Sequence, residues 1–437
     1  MKPIENALTN SILRHTESLC PTCLRTVTAQ VVTEGRAVYQ HKVCPRHGVF
    51  KSYLWPDVDH YKWMNSFEFP CVRPKLPVDS RQGCPLDCGL CTSHLRQPTL
   101  VEIELTQQCN LRCPVCFMAA GSADKAVISD PDLKEIETKF KSIMGKTGPQ
   151  TSIQLTGGEP TVRADLPAII RLGREIGFDA IEVNTNGLVI ARDLAYVQSL
   201  AEAGISGIYL QFDGVTRPVY EQIRGDDLLA VKRKAIENCR TAGVQVVLAM
   251  TVIRGINHDQ MGAVLEFALE NRDVIVGIAY QPAFGSGRFD VSCERHLTMG
   301  DVAFLLAGQS HGLLEPYDLW PLACAPLCDS ATYLIEQHGK FTPITRLITL
   351  QEYTDFYNPD SPQGSVFWDI AAERFPDLGR GLSIIVMNFM DTGSIDLARL
   401  RECSMLVAGP DGRMIPFCAY QLTDTAGNKL RRSIPQR

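Results

Sequence analysis

Sixteen cysteines in a chain of 437 residues, most of them in tight groups, limit what this sequence can fold into more than any other feature. They fall at Cys20, Cys23 and Cys44; at Cys71, Cys84, Cys88 and Cys91; at Cys109, Cys113 and Cys116; at Cys324 and Cys328; and at Cys403 and Cys418, with Cys239 and Cys293 alone. Gaps of two or three residues let a tight loop converge several thiolates on one centre, as metal coordination requires. Buried thiols scattered through a core would not cluster in this way. The start MKPIENALTN lacks the basic and apolar regions of a signal peptide, and the longest strongly apolar run, VQVVLAMTVI, falls far short of the ~20 residues that span a bilayer. A cytoplasmic protein is therefore expected, in a compartment that disfavours disulfides and leaves the thiols to metal. The net charge of -6 gives no overall attraction to nucleic acid or to an anionic membrane.

Residues 100 to about 300 read as strands alternating with amphipathic helices. VEIEL runs into a cysteine loop, SIQLTGGEPT ends in glycines, and AIEVNTNG and GIYLQFDG break at Asn or Asp followed by Gly. VQVVLAMTVI and VIVGIAYQPAF have the β-branched content of strands covered on both faces. Between them, Ser129, Asp130 and Pro131 open DLKEIETKFKSIM as cap and first turn, and ADLPAIIRLGREIG, RDLAYVQSLAEAG and LLAVKRKAIENCRTAG each end at Gly. Repeated βα units make an α/β fold with a parallel sheet or barrel, whose chemistry sits at the C-terminal ends of its strands. The cysteine loop, GGEPT, NTNG and QFDG then face one mouth.

In that loop, CNLRCPVCF, residues 109–117, three thiolates have no fourth beside them. Three can hold three irons of a four-iron cluster and leave the last iron open to an outside ligand; a zinc site completed by a distant Cys or His satisfies the same spacing. CNLRCPVCF after a strand, with LTGGEPT at the end of the next, resembles the radical S-adenosylmethionine (SAM) superfamily over roughly residues 99–290. The resemblance implies a partial (β/α)6 barrel and a 4Fe-4S cluster on Cys109, Cys113 and Cys116, its open iron chelated by the amino and carboxylate groups of SAM. Reduction of the cluster cleaves SAM to methionine and a 5'-deoxyadenosyl radical, which takes a hydrogen atom from an sp3 carbon. It also implies that Phe117 borders the adenine; Glu159 can accept from the methionine ammonium, with a helix-starting turn before Pro160 as the alternative. Gly157 and Gly158 let backbone come close to the ligand. Asn184, Asn186, Gln211 and Asp213 stand where ribose or carboxylate contacts occur, with turn chemistry as the alternative. Arg224 is either a partner of the SAM carboxylate or an exposed surface residue.

Three further cysteine patterns flank the core. CPTC and CPRHG, with the β-prone TAQVVTEGRAVYQHKV between them, fit a zinc ribbon held by Cys20, Cys23, Cys44 and His47; a rubredoxin-like iron site is the alternative. The metal would close a module too small to bury its own core. GCPLDCGLC supplies Cys84, Cys88 and Cys91 for an auxiliary 4Fe-4S cluster, with Cys71 as the candidate fourth ligand and His94 next. CAPLC and CSMLVAGPDGRMIPFC bring Cys324, Cys328, Cys403 and Cys418, enough for a second, fully ligated auxiliary cluster, against ordinary burial. Cys239 and Cys293 are assigned to packing.

CPTC, CPRHG, GCPLDCGLC and IPFCAY together resemble the subgroup of tetraether lipid synthases and hydroxymethylpterin methyltransferase-like radical SAM proteins. Where that group carries another cysteine after GCPxDCGLC, this chain has SHLRQPTL. The subgroup implies carbon–carbon bond formation or alkyl or methyl transfer on a lipid or a pterin-like small molecule. It also implies auxiliary clusters that pass electrons or hold an intermediate, and a reductase such as flavodoxin or ferredoxin. A peptide-modifying radical enzyme and a non-catalytic iron-sulfur or zinc electron carrier are the competing readings; a vacant iron beside a SAM-shaped site argues against the carrier. The chain divides into a ribbon module at 1–70, an auxiliary segment at 71–98, the core at 99–300 and a C-terminal auxiliary region at 301–437.

Overall fold

The computed structural model describes residues 11–75, 78–80, 83–120, 130–292, 295–322, 324–357, 366–376, 381–409 and 412–430. Four strands, β1 (Ile12–Leu19), β2 (Thr26–Glu34), β3 (Ala37–Cys44) and β4 (Gly48–Trp55), form an antiparallel meander in chain order. The two cysteine knuckles are its β1–β2 and β3–β4 turns. A short helix, Val58–Met64, follows, capped by Asp57, whose carboxylate accepts from the backbone N–H groups of Asp59 and His60.

The remaining strands are β5 (Leu100–Thr106), β6 (Val115–Cys116), β7 (Ser152–Gly157), β8 (Ile181–Thr185), β9 (Gly207–Gln211), β10 (Val246–Val252), β11 (Ile275–Pro282), β12 (Arg288–Phe289), β13 (Trp320–Pro321), β14 (Asp329–Gln337), β15 (Lys340–Pro343), β16 (Leu382–Met387), β17 (Met405–Ala408) and β18 (Met414–Pro416). Twelve of them make one sheet in the order β13-β14-β16-β11-β10-β9-β8-β7-β5-β17-β18, with β15 on β14. Its centre is six parallel strands, β5 and β7 to β11, laid side by side with helices between them: the (β/α)6 arrangement. The chain beyond residue 300 completes this sheet, because β16 adds parallel to β11 at one side and β17 parallel to β5 at the other.

Alternation within each strand separates two environments. Val101, Ile103, Ile153, Leu155, Val183 and Leu210 turn outward and are fully buried, sharing one core with Ile136, Phe140, Ile169 and Leu200 of the covering helices. Each such side chain contributes about 1.5–3 kcal/mol on burial. The residues between them face the barrel interior. One detail departs from the sequence reading: the helix Leu133–Thr147 is capped by Asp132, in a reciprocal box with Glu135, and not by Ser129 to Pro131. Asp130 instead accepts from Thr106 Oγ1 at 2.8 Å, and Ser129 lies outside the described residues. Cys239 is fully buried in the helix Leu229–Ala242, while Cys293 also lies outside the described residues. Among the described residues no helix is long and apolar enough to cross a membrane.

Candidate active site and metal centres

β5 and β7 end side by side, and their exit loops are stitched together. Gly158 N–H donates to Thr106 O and Glu159 N–H to Gln108 O, both at 2.8 Å. The contact leaves no room for side chains: a Cβ on Gly157 (φ +138) would stand 2.3 Å from Thr106 O, and one on Gly158 2.1 Å from Gln108 O. What these glycines let approach is thus the backbone that launches the cysteine loop. Gly158→Ala should cost about 3 kcal/mol, because backbone must move on both sides of the clash. Gly145, inside the helix Leu133–Thr147 with nothing within 4 Å of its Cβ position, is the control. Gly145→Ala should stabilise by about 0.5–1 kcal/mol. Thermal melting of the two variants tests the difference.

Glu159 is engaged at both oxygens by the chain around it. Its Oε1 accepts from Thr161 N–H (3.1 Å), Thr161 Oγ1 (2.5 Å) and Thr185 Oγ1 (2.6 Å), and its Oε2 from Asn186 N–H at 2.7 Å. It caps the short 3-10 turn Pro160–Val162 and ties β7 to β8. Oε2 keeps capacity for one further donor. Asn186 donates to Asn110 Oδ1 across the loops at 2.7 Å, and Asn184 Nδ2 donates to Gln154 Oε1 at 3.0 Å. At the end of β9, Asp213 is fully buried and held bidentate by Arg224, Nε to Oδ2 at 2.7 Å and Nη2 to Oδ1 at 2.8 Å. Arg224 also donates to Val115 O and Thr251 Oγ1. The exposed alternative for Arg224 is therefore corrected, since its side chain is only 9% accessible. Sequence reasoning missed Lys232, whose buried Nζ donates to Asn186 O at 2.5 Å and Gln211 Oε1 at 2.7 Å; burial pushes it down to about 7. Gln211 passes the contact on to Asp213.

Cys109, Cys113 and Cys116 line a cavity of about 1070 Å³ that fills the barrel interior. Burial pushes the Cys109 thiol up to about 11, with Glu159 and the other two cysteines adding to the effect. Burial also raises Cys113, opposed by the adjacent Arg224. The loop is pinned by Arg288, whose Nε donates to Cys113 O at 2.6 Å, and by pairing of β6 with β12. Phe117 stacks on Phe284 at 6.2 Å and meets Phe417 edge-on at 5.5 Å, the residue before Cys418. Asn184, Gln211, Glu159 and both glycines line the same cavity, so the sequence motifs do share one mouth.

In the ribbon, the four donor atoms of Cys20, Cys23, Cys44 and His47 all lie within 4.8 Å of one another. His47 Nδ1 is 3.5 Å from both Cys20 Sγ and Cys44 Sγ, and Cys23 Sγ is 4.0 Å from Cys44 Sγ. Tetrahedral zinc with ordinary bond lengths demands edges of about 3.8 Å between sulfurs and about 3.6 Å from sulfur to nitrogen. The Arg46 backbone N–H, helped by His47, pulls the Cys44 thiol down to about 6, so this thiol is disposed to lose its proton to a metal.

The later cysteines also come together. Cys324 hydrogen-bonds Cys328 and its Sγ donates to Asp329 Oδ1 at 2.8 Å. Burial raises Cys403 and Cys418, far along the chain, with Cys418 and Cys328 adding to the rise at Cys403 and Cys328 to that at Cys418. Arg399, also absent from the sequence reading, donates to Cys328 Sγ at 3.2 Å; the Cys324 hydrogen bond and this guanidinium hold Cys328 at about 7. Before the core, a hydrogen bond from Cys88 and the neighbouring Arg401 hold Cys84 at about 6. Cys88 and Cys91 are buried and Cys71 is exposed, while His94 is buried with Nε2 bound to Cys403 O at 2.9 Å.

Comparison with known proteins follows the same division. The Radical SAM superfamily profile matches residues 103–268, and that of the HMPTM N-terminal zinc ribbon domain matches residues 12–56. The chain is 32% identical to a 7,8-dihydro-6-hydroxymethylpterin dimethyltransferase of Methanocaldococcus jannaschii, over 97% of this chain and 96% of that protein. A GTP 3',8-cyclase of Chlorobaculum tepidum is 30% identical over 42% of this chain and 53% of its own. Among solved structures, anSMEcpe with bound AdoMet and the Kp18Cys peptide aligns with 49% of this chain and 59% of its own, at 18% identity and TM-score 0.39. The chain belongs to the radical SAM superfamily, in the hydroxymethylpterin methyltransferase-like subgroup with an N-terminal zinc ribbon, and is a radical SAM transferase.

Proposed function

We propose that this enzyme transfers a methyl group to a pterin-class small molecule, using a 4Fe-4S cluster on Cys109, Cys113 and Cys116. The observation that carries the reading is the likeness to the pterin dimethyltransferase, which spans nearly the whole of both chains. The donor set supports the cluster: three loop thiols line the cavity with buried Arg224 beside them to balance anionic charge. When bound, the cluster and SAM supply a 5'-deoxyadenosyl radical that removes a hydrogen atom from carbon. The chain's own residues bind, orient and exclude water. Phe117 offers its ring to the adenine, Glu159 Oε2 accepts from the methionine ammonium, and Asn184, Asn186, Gln211 and Arg224, the last held in place by buried Asp213, line the ribose and carboxylate side. We assign zinc to Cys20, Cys23, Cys44 and His47. One auxiliary cluster is assigned to Cys324, Cys328, Cys403 and Cys418, and a second to Cys84, Cys88 and Cys91 with Cys71, or His94, as fourth ligand. Electrons come from a flavodoxin or ferredoxin.

A polar substrate is favoured over a lipid because the cavity wall carries Glu102 Oε2 and Asn184 Oδ1, buried acceptors with no partner among the described residues, which a long acyl chain would leave unmet. The test is anaerobic turnover with reductant, methyl-deuterated SAM and 7,8-dihydro-6-hydroxymethylpterin, read by mass spectrometry. A methylated pterin formed together with 5'-deoxyadenosine is expected, and the label reports whether the SAM methyl group is the one delivered. Methylation absent with this pterin but present on an isoprenoid lipid or a peptide would replace the reading.

A further inference from the structure

The barrel wall below the cysteine loop carries a row of polar side chains with no role in holding SAM or metal. Parallel register sets Glu102 of β5 beside Gln154 of β7, and Gln154 beside Glu182 of β8, and all three line the cavity. Gln154 is used at both ends: Nε2 donates to Glu182 Oε2 at 3.2 Å, and Oε1 accepts from Asn184 Nδ2 at 3.0 Å. One buried acceptor of this row is left over: Glu102 Oε2 has no partner among the described residues, and neither has Asn184 Oδ1 at the ribose side above it. Glu102 is 2% exposed. Parallel strands covered on both faces are ordinarily apolar along their length, and an unmet buried acceptor costs stability. Both features mark a wall shaped for a ligand and not for folding.

The chemistry of that ligand follows from what is missing. Every unmet atom is an acceptor, and among the described residues the only Lys or Arg lining the cavity is Arg224, already bound to Asp213. Burial, with Glu104 near it, pushes the unpartnered Glu102 up to about 8, and two N–H donors from a ligand would hold it in the carboxylate form. The complement of this wall is a neutral molecule rich in N–H donors. A 2-amino-4-oxopyrimidine ring offers a ring N–H beside an exocyclic N–H, a pair spaced to meet both oxygens of one carboxylate as a guanidinium does.

We infer that Glu102 reads the amino-pyrimidine edge of the substrate, its carboxylate accepting from the ring N–H and the exocyclic amino group. The inference rests on the pterin reading above and adds an orientation to it. Glu102 lies four residues before Thr106, about 13 Å down the strand from the mouth. The pyrimidine edge therefore points into the barrel and the opposite edge of the bicycle points up toward the cysteine loop.

The test is equilibrium binding to the anaerobically reconstituted, SAM-loaded holoenzyme without reductant, by calorimetry. The probes are 7,8-dihydro-6-hydroxymethylpterin and its 2-oxo counterpart, in which a carbonyl replaces the amino group. Wild type should prefer the 2-amino compound at least tenfold. Glu102→Gln offers one acceptor and one donor, which suits a ring N–H beside a carbonyl. It should bind the 2-amino compound at least tenfold more weakly and turn the preference toward the 2-oxo compound. Glu102→Ala should lose the first affinity without gaining the second. Iron content and melting temperature should stay at wild-type values in Glu102→Gln, since an amide replaces an unpaired buried acid. Wild type indifferent to the 2-amino group, or Glu102→Gln binding both probes as wild type does, overturns the assignment to Glu102 and leaves the pterin reading standing. Wild-type holoenzyme that binds neither probe overturns the pterin reading, and this inference with it.

Discussion

Cys113→Ala is expected to bring 5'-deoxyadenosine formation to background, a loss larger than the roughly 10–100-fold that substitutions behind metal ligands produce. Cys113 is the most enclosed of the three loop thiols in its polar surroundings. It is buried, its carbonyl is held by Arg288, and Arg224 stands against it with Asp213 behind. Removing the thiol leaves two ligands where the cluster needs three, and leaves Arg224 facing a hole. Asp213 still neutralises that arginine, so the barrel itself should stay folded, as far-ultraviolet circular dichroism will show. Iron per chain should fall by the share of one cluster while zinc is unchanged. Product formed at wild-type rate in Cys113→Ala would mean that the radical chemistry does not depend on this loop.

Cys44→Ala should have the second largest effect, and it should spread beyond the ribbon. Zinc content is expected to drop to background, because three remaining donors lose the tetrahedral edges that the four present. The metal term is large: structural zinc in small finger peptides is worth about 10–16 kcal/mol. Without it β1 to β4 keep few apolar contacts of their own around the site, where among the described residues Val27 and Phe50 cluster with the cysteines. The ribbon is bolted to the C-terminal region by polar contacts. Lys42 Nζ donates to Thr392 O (2.9 Å) and Gly393 O (2.7 Å), Ser18 Oγ to Ile395 O (2.6 Å), and Arg14 pairs with Asp396 at 2.5 Å. That segment adjoins Met390, whose N–H donates to Cys418 Sγ at 3.3 Å, and Arg399, which holds Cys328. Loosening the ribbon should thus reduce iron at the Cys324, Cys328, Cys403 and Cys418 group before it affects the loop at 109–116. Metal analysis and limited proteolysis test the order; a variant that loses zinc and keeps every other property would show that the two regions are independent.

Much of this architecture could be read from local pattern. The strand and helix order of the core followed from β-branched runs broken at Gly, Asn and Asp, and the ribbon followed from two knuckles with β-prone sequence between them. These are short-range signals, carried by residues adjacent in the chain. Arg224 and Gly157 show the limit. A lone arginine in EQIRGDD gives no sign that it is buried against Asp213, eleven residues earlier, and two glycines before Glu159 give no sign that their neighbours are Thr106 and Gln108. Glu102 and Glu182 stood in view inside VEIEL and AIEVNTNG. An acid in the middle of an otherwise apolar parallel strand is a signal that could have found them.

From the one-dimensional pattern alone come the thiol groupings, the six core strands with the helices between them and the four motifs at the strand ends, because spacing within a tight loop and alternation within a strand are local consequences of covalent geometry. Folding in three dimensions was needed for everything that joins distant segments: Cys328 beside Cys403 and Cys418, β16 and β17 on opposite sides of the core sheet, and Glu102, Gln154 and Glu182 in one rung. Those contacts are set by parallel register and by which surfaces bury each other, and both are properties of the packed chain that no short stretch of residues encodes.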